Sequence, residues 1–316
     1  QTLDEIYKNR ISNILAVIVD HYSLGVEWEN YVKNGLEDFQ NKIPTKIVVI
    51  DDLFNRKHNS DILIDQTFTK YISIDNYQNL VNEKCLKLLG PSYCILDNKY
   101  LSLKKNTNIR KKIKRILIYF GASDKDNYTL EIINIIANKK YSKYMFKIVI
   151  SKENKNFKKI SKISDLFPWI NIQKPLNSLA DLILESDMAI GAGGTNTWER
   201  LILGLPSLVI PIAKNQHYIC KNLKDINLIK VKNKEENLEK WIDSSLKFMN
   251  KNIEKISGDS MVLVDGYGTS RICNSILGTY GPLKLKKIKR IDKSLLFNLT
   301  NGICTRENSF NKKQIT

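Results

Sequence analysis

The fold is decided by the stretch MAIGAGGTNTWER at residues 188–200. Its apolar run at 188–190 predicts a buried strand, and a glycine-rich turn separates that strand from a helical pattern at 196–203. Glycine lets a ligand approach the backbone closely, and the first N–H groups of a helix have no acceptor within the helix. This strand–turn–helix unit therefore predicts a parallel α/β sheet with an anion held at the turn.

Four residues of this stretch are candidates for contact with a nucleotide. Gly193, Gly194 and Thr195 would present backbone N–H groups to a phosphate, and Glu199, about one helical turn further on, could accept hydrogen bonds from a ribose diol. The turn is neither G-x-G-x-x-G nor a Walker loop. On spacing alone, a tight strand-to-helix turn with Glu199 as a surface charge is an equally good interpretation.

Short apolar runs and helix-length amphipathic segments alternate outward from this stretch. The other predicted strands are 14–19, 46–50, 115–120, 146–150, 170–172 and 207–210. The other predicted helices are 27–40, 128–138, 154–164, 177–185 and 235–250. Continuous apolar runs are typical of strands buried on both faces, and strands separated by helices predict a doubly wound α/β fold.

Three segments follow from this pattern. A basic stretch at 104–114 separates two groups of strands, so we predict one Rossmann-like domain at 1–108 and a second at 109–280. The first group has too few strands for a complete domain of this kind, and the chain opens on Gln1, so we expect the N-terminal domain to be incomplete. Residues 281–316 are predicted to form a basic strand and a short helix, too few for a domain.

Charge and cysteine content narrow the class of partner. The net charge of +17 arises from 50 Lys+Arg against 33 Asp+Glu, and only eight of the basic residues are arginine. The lysines are scattered and no motif that reads RNA or DNA is present, which argues against a nucleic-acid partner. Five cysteines without a C-x-x-C pair favour reduced thiols in a cytoplasm. No 18-residue apolar run or secretory signal is present, so we predict a cytoplasmic protein without a membrane partner.

Two more predicted strands end in small and polar residues. Ligands of open α/β sheets bind outside the carboxyl ends of the strands. The further candidate ligand-binding residues are therefore Gly121, Ala122, Ser123, Asp124, Asn127, Asn215 and Gln216. Asp124 and Asp126 have the D-x-D spacing of metal-dependent transferases, but carboxylates two apart are common in loops, so no metal is predicted.

His21 is the candidate general base among the three histidines. It lies in Asp20-His21-Tyr22 at the end of the first predicted strand, although a histidine flanked by Asp also serves in packing. His58 and His217 are interpreted as loop residues. Neither H-E-x-x-H nor a Ser-His-Asp signature is present.

Several of these motifs, taken in order, resemble one enzyme family. The chain resembles the UDP-2,4-diacetamido-2,4,6-trideoxy-β-L-altropyranose hydrolases of pseudaminic acid biosynthesis, roughly over residues 14–278. The matching motifs are Asp20-His21-Tyr22, Ile50-Asp51-Asp52-Leu53 with Arg56 and His58, Asp65-Gln66, Gly90-Pro91-Ser92-Tyr93, Phe120–Asp124 with Asn127, Gly191–Arg200, Leu203–Ser207, Asn215-Gln216 and Val264–Gly268.

The resemblance implies a fold and a reaction. The fold is the two-domain GT-B fold shared with the lipid II-forming N-acetylglucosaminyltransferase. The reaction is water attack at the anomeric carbon with C–O cleavage and release of UDP, without metal or cofactor. UDP would lie on the second domain, with the pyrophosphate near Gly193–Thr195 and Gly121–Asp124 and the ribose at Glu199. Asn215 and Gln216 would lie close to the phosphates or the sugar.

The resemblance also implies roles outside the nucleotide site. Tyr22 matches a tyrosine that faces the sugar from the N-terminal domain, with His21 as an accessory residue. The family's base is a histidine in an early G-x-G-H-x-x-R loop that this sequence does not contain, so we expect nucleotide binding with little turnover. The segment from Pro282 to Phe310 resembles the opening of a GNAT acetyltransferase, a domain sometimes fused to these hydrolases; a basic tail is the alternative.

Two other functions stay open at this point. A GT-B glycosyltransferase would move the sugar to an acceptor, and a non-catalytic protein would bind the nucleotide sugar without reaction.

Overall fold

The computed structural model describes residues 2–9, 14–39, 44–68, 77–121 and 124–278. They divide into two compact units. Unit 1 contains the described residues up to Ile95 together with those from Tyr267 onward, and unit 2 contains Leu96–Gly266. The predicted acetyltransferase-like segment at 281–316 lies outside the described residues. Within the described ranges, no helix combines the length and the apolar composition needed to cross a bilayer.

Strands and helices alternate along both units. The strands are β1 (Ala16–Val19), β2 (Lys46–Ile50), β3 (Ile62–Asp65), β4 (Leu86–Leu89), β5 (Arg115–Tyr119), β6 (Met145–Val149), β7 (Ile170–Gln173), β8 (Met188–Ala192), β9 (Ser207–Ile210) and β10 (Ile229–Val231). The helices are α1 (Thr2–Lys8), α2 (Val26–Phe39), α3 (Asn98–Lys104), α4 (Tyr128–Ile136), α5 (Phe157–Leu166), α6 (Ala180–Glu185), α7 (Asn196–Ile202), α8 (Lys214–Asp225), α9 (Leu238–Leu263) and α10 (Gly268–Leu277).

Unit 1 is built on a parallel sheet in the order β1-β2-β3-β4. Ile47 and Val49 of β2 pack on one face with Leu36 of α2, whereas Val48 packs on the other face with Ile272 of α10. Because successive side chains of a strand point to opposite faces, a sheet covered on both faces requires apolar residues at consecutive positions. This explains why the strand reads as a continuous apolar run.

Unit 2 is a six-stranded parallel sheet in the order β10-β9-β8-β5-β6-β7. Counted from β5 as the first strand, this is the doubly wound 3-2-1-4-5-6 order of a Rossmann-like sheet, which confirms the predicted fold class. β5 and β8 pair directly, with Ile118 opposite Ile190. The chain winds away from this pair in opposite directions, through β6 on one side and β9 on the other.

The first predicted boundary, between residues 108 and 109, falls inside unit 2. Arg110 is buried there and donates hydrogen bonds to the carbonyl oxygens of Leu203 and Ile183, the second at 3.2 Å. Its backbone N–H donates to Ser257 Oγ at 3.0 Å. The basic stretch is therefore bonded into unit 2 and is not a linker. The division between the two units falls between Ile95 and Leu96 instead.

The C-terminal helix α10 belongs to unit 1, although the sequence places it in the second domain. Arg271 donates to the carbonyl oxygen of Ser92 at 2.7 Å, and Lys46 Nζ donates to that of Ile276 at 2.5 Å. Gly268 starts the helix against the backbone of Cys94, where an added Cβ would lie 2.2 Å from the carbonyl oxygen. The chain thus returns to unit 1 after completing unit 2.

All seven predicted strands are present, with ends shifted by no more than two residues. Three strands and four helices in the described ranges were not predicted. They are β3, β4, β10, α1, α3, α8 and α10. Helix α9 runs 13 residues beyond its predicted end at residue 250.

Candidate functional site

Three loops predicted to bind a ligand lie at one edge of the unit 2 sheet. They follow β5, β8 and β9, and these strands are neighbours in the order β9-β8-β5. The pair β5–β8 is the point where the winding direction changes. Open α/β sheets bind ligands in the crevice at the carboxyl ends of the strands at such a point. Ala122 and Ser123 lie outside the described residues.

The three glycines around the turn after β8 differ in what the protein requires of them. A Cβ on Gly191 would lie 2.4 Å from the carbonyl oxygen of Tyr119, and one on Gly193 would lie 2.3 Å from Cys220 Sγ. Both positions are closed to any side chain by packing. A Cβ on Gly194 would meet nothing nearer than Gln216 Nε2, at 3.5 Å, which is an ordinary contact. Packing therefore does not require glycine at position 194.

Gln216 fixes the shape of this turn from α8. Its Oε1 accepts the backbone N–H of Gly193 at 3.1 Å and that of Ile212 at 3.0 Å. Because the Gly193 N–H is already used, the turn offers a ligand the N–H groups that follow it. Those of Gly194 and Thr195 have no hydrogen-bond acceptor among the described residues.

Arg200 of α7, for which the sequence predicts no role, supports the turn. Its Nη2 donates to the carbonyl oxygen of Ala192 at 2.7 Å and to Thr197 Oγ1 at 3.0 Å. The side chain is buried, and this desolvation lowers the pKa of Arg200 to about 10. A Cβ on Gly191 would lie 2.8 Å from the guanidinium, so the glycine makes room for the arginine. Gly191 and Arg200 are thus needed together, since the glycine leaves the space from which the guanidinium binds the Ala192 carbonyl.

Glu199 is half-buried beside two tyrosines at the same edge. Its carboxylate accepts a hydrogen bond from the side chain of Asn196 at 2.5 Å. Burial raises the pKa of Tyr119, at the end of β5, and the charge of Glu199 raises it further. The pKa of Tyr100 is raised for the same two reasons. The negative charge of Glu199 therefore lies next to the β5–β8 pair, where a ligand hydroxyl could reach it.

Asp124 and Asn127 are engaged in holding α4 and α5. The Asp124 carboxylate accepts the N–H groups of Tyr128 at 3.2 Å and Thr129 at 2.9 Å, which are free at a helix N-terminus. Asn127 accepts the side-chain N–H of Asn156 at 2.6 Å. Both residues lie at the predicted edge, but their side chains serve the protein. No cluster of potential metal ligands is present in the described residues.

The remaining predicted residues of this edge are Gly121 and Asn215. Gly121 has a φ of +90°, which strains any other residue, and its missing Cβ would face open space. The side chain of Asn215 is exposed at the start of α8. Both are thus accessible to a ligand.

The carboxyl edge of the unit 1 sheet gathers four carboxyl groups. Asp20 follows β1, Asp51 and Asp52 follow β2, and Asp65 ends β3. Arg56 pairs with Asp51 at 2.7 Å, and Asp52 shares a hydrogen bond with Tyr22. Burial raises the pKa of Asp52, and the charges of Asp51 and Asp20 add to that effect.

Asp65 is the most deeply buried residue of these four. Its Oδ1 accepts the N–H of Thr67 at 2.8 Å, and its Oδ2 accepts the hydroxyl of Tyr77 at 2.7 Å. Burial nevertheless raises the pKa of Asp65 to about 6. His21, the candidate base, is exposed, and its Nδ1 accepts the N–H of Ser23 at 3.1 Å.

Comparison with solved structures identifies the fold of this chain. MurG from Acinetobacter baumannii matches with a TM-score of 0.55 and 12% identity, over 88% of this chain and 76% of that one. The Arabidopsis thaliana UGT89C1 complex with quercetin matches with a TM-score of 0.54 and 8% identity, over 88% and 75%. At these identities the likeness shows the fold alone. The chain has the GT-B glycosyltransferase fold, as the sequence predicts.

Sequence relatives give a more particular relationship. Residues 115–262 match the glycosyltransferase family 28 C-terminal domain. The chain is 28% identical over 200 residues to the UDP-2,4-diacetamido-2,4,6-trideoxy-β-L-altropyranose hydrolase of Campylobacter jejuni, covering 63% of this chain and 67% of that one. It is 24% identical over 139 residues to the spore coat polysaccharide biosynthesis protein SpsG of Bacillus subtilis, covering 43% and 40%.

A third relative is an uncharacterized protein. The chain is 28% identical over 221 residues to MJ1062 of Methanocaldococcus jannaschii, covering 66% of this chain. The match spans 42% of the length of MJ1062. The chain therefore spans less than half of two of these relatives and about two thirds of the hydrolase.

Proposed function

We propose that the protein hydrolyses a UDP-linked diacetamido sugar and that unit 2 binds the UDP. The named hydrolase among the relatives and the family 28 match across unit 2 support this proposal. The single observation that carries it is the turn after β8. Position 194 holds a glycine although packing in the free protein would admit a Cβ there. The N–H of Gly194 has no acceptor among the described residues. The residue lies at the carboxyl edge of the sheet, where open α/β sheets bind ligands.

The diphosphate is placed at the N–H groups of Gly194 and Thr195. Such donors hold negative charge without reorganisation and stabilise the charge that develops on a leaving diphosphate. Glu199 is placed to accept the ribose hydroxyls, since a carboxylate has more acceptor sites than the bond from Asn196 and the interaction with Tyr100 use. Gln216 acts indirectly in this proposal, because its side-chain oxygen is occupied in holding the turn.

The reaction is a simple displacement with water. The water oxygen forms a bond to the anomeric carbon, the bond from that carbon to the phosphate oxygen breaks, and UDP leaves with the electron pair. The water gives up its proton to a base or to solvent. Tyr22, at the carboxyl edge of the unit 1 sheet, is proposed to contact the sugar, with His21 as an accessory residue.

The test measures UDP and free sugar released from UDP-2,4-diacetamido-2,4,6-trideoxy-β-L-altropyranose by the purified chain. The proposal predicts slow release, as expected for a sequence without the G-x-G-H-x-x-R histidine, and equal amounts of the two products. It predicts a loss in Glu199→Ala and no loss in Glu185→Ala, a glutamate of α6 that pairs with Lys147 at the surface. UDP that appears only after an acceptor is added would identify a glycosyltransferase. UDP binding by calorimetry without any release would identify a non-catalytic binder. Either result would refute hydrolysis.

A further inference from the structure

The loop that carries His21 and Tyr22 is held in place by one arginine. Arg56 Nε donates to the carbonyl oxygen of Leu24 at 3.0 Å, and Nη2 donates to that of His21 at 3.2 Å. Nη1 pairs with Asp51 Oδ1 at 2.7 Å. The guanidinium thus joins both sides of Tyr22 to the end of β2. A lysine would keep the charge, but its single ammonium could not span these three acceptors in the same geometry.

Asp51 neutralises the charge of Arg56 at the end of β2. Its side chain is 1% exposed, and a buried carboxylate of this kind is stable only when paired. The second oxygen accepts the N–H of Leu53 at 3.2 Å. The ion pair therefore fixes the segment after β2 as well as the loop after β1.

The same segment is attached to α2 further along. The N–H of Val26, at the first position of α2, donates to the carbonyl oxygen of Lys57 at 3.3 Å. Glu29 is fully buried and binds His58 Nδ1 at 2.6 Å and the N–H of Asn59 at 2.5 Å. Residues 51–59 are thus anchored beyond Arg56, so the arginine joins the loop to a rigid neighbour.

Asp52 acts on the other end of the loop, at the Tyr22 side chain. Tyr22 is 52% exposed, yet its hydroxyl is hydrogen-bonded to Asp52. A phenol has one proton, so a hydroxyl that donates to a carboxylate presents only its lone pairs to a ligand. This geometry favours a ligand group that donates, such as an amide N–H, a hydroxyl or water.

We propose that Arg56 and Asp52 are positioning residues for Tyr22. Arg56, neutralised by Asp51, fixes the backbone on both sides of Tyr22, and Asp52 orients the hydroxyl so that it accepts a hydrogen bond from the sugar or from the attacking water. The inference rests on the proposed function, because that function assigns the sugar to Tyr22.

The first test measures the loop itself and requires no turnover. Amide hydrogen exchange is followed by mass spectrometry in the wild type, in Arg56→Lys and in Lys33→Met, a control that removes the Lys33–Asp61 ion pair of 3.0 Å elsewhere in unit 1. We expect the amides of residues 21–25 to exchange about tenfold faster in Arg56→Lys alone. Equal exchange in all three proteins would overturn the role of Arg56. Faster exchange throughout unit 1, β2 and β3 included, would do so as well, because it would identify a general stabilising residue.

The second test asks whether Asp52 acts through Tyr22. We expect Asp52→Asn to lower kcat for UDP release about 10- to 100-fold with a much smaller change in KM, since misorientation affects the reacting geometry. In a Tyr22→Phe background the same substitution should have no further effect. Fully additive losses would overturn the role of Asp52.

Failure of the proposed function is distinguishable from failure of this inference. A wild-type chain that releases no UDP contradicts the function, and the inference is then decided by NMR of protein carrying ¹³Cζ-tyrosine. The Tyr22 signal, assigned by its loss in Tyr22→Phe, should shift in Asp52→Asn and stay in place in Lys33→Met. A signal that does not move in Asp52→Asn would overturn the inference.

Discussion

Replacement of Gly194 by alanine separates what the fold requires of the turn after β8 from what a ligand requires. In the free protein the new methyl group meets only Gln216 Nε2, at 3.5 Å, and the backbone of Gly194 is not in the left-handed region. A Gly→Ala change under such conditions typically stabilises a protein by about 0.4–1 kcal/mol, because it restricts the unfolded chain. We therefore expect an unchanged or slightly raised Tm.

The bound state responds differently. A diphosphate that approaches the N–H of Gly194 would meet the added methyl group and lose a hydrogen bond to a charged group, a loss of about 1.5–3 kcal/mol. That corresponds to a Kd for UDP raised about 10- to 150-fold. Titration calorimetry of UDP into the wild type and Gly194→Ala measures this difference directly, and thermal unfolding of the same samples measures stability.

Gly193→Ala supplies the matched control at the neighbouring position. Its Cβ would lie 2.3 Å from Cys220 Sγ and 3.2 Å from Val209 Cγ1, so the core around α8 must move. Overpacking of this kind costs about 1–3 kcal/mol of stability. We therefore expect a stability defect at position 193 and a binding defect at position 194. A folded Gly194→Ala protein that binds UDP with wild-type affinity would refute the placement of the diphosphate.

Three further predictions concern the groups around the two sheet edges. Glu199→Ala should weaken UDP binding by about 1–3 kcal/mol in calorimetry while Glu185→Ala has no effect, and equal affinities would remove the ribose role. Arg200→Met should lower the free energy of unfolding in urea by about 1–3 kcal/mol, because the Ala192 carbonyl and Thr197 hydroxyl lose their buried donor; unchanged stability would contradict this. Asp65 has a pKa raised from 3.8 to about 6, so the folded state binds more protons and wild-type stability falls as pH rises through that interval, by up to about 3 kcal/mol. Asp65→Asn should lose that decline in urea titrations at pH 4 and pH 7, and parallel curves for the two proteins would show that Asp65 does not cause it.

The sequence predicted those elements whose apolar runs are long and bounded by turn residues. β2, β8 and β9 are of this kind, since burial on both faces demands an unbroken apolar run. β4 has an exposed Leu86 followed by a half-buried Lys87, and β10 has three residues, so neither gives such a run. Helix α8 was not predicted because its buried apolar side chains are few. They are Ile219, Cys220 and Leu223.

The candidate site was predictable where local sequence determines it. Gly193, Gly194 and Thr195 form a strand-to-helix turn in the sequence and in the structure. The role of Gln216 was not predictable, because its contact with Gly193 joins residues 23 positions apart. Arg200 reads as a charged residue in an amphipathic helix, and only the buried Ala192 carbonyl explains its burial.

Asp124 illustrates the opposite case. Its position after a predicted strand led to the prediction of a ligand contact, whereas the structure directs both carboxylate oxygens to the first N–H groups of α4. The helix start needs these acceptors whether or not a nucleotide is present. Strand periodicity alone could not choose between the two roles.

The most direct test of the central claim is hydrolysis of UDP-2,4-diacetamido-2,4,6-trideoxy-β-L-altropyranose in water enriched in ¹⁸O, with mass spectrometry of both products. Water attack at the anomeric carbon predicts one ¹⁸O atom in the released sugar and none in UDP. Label in UDP would mean that the phosphorus–oxygen bond breaks instead. Substrate that stays fully intact even on prolonged incubation, or label in UDP alone, would contradict water attack at the anomeric carbon.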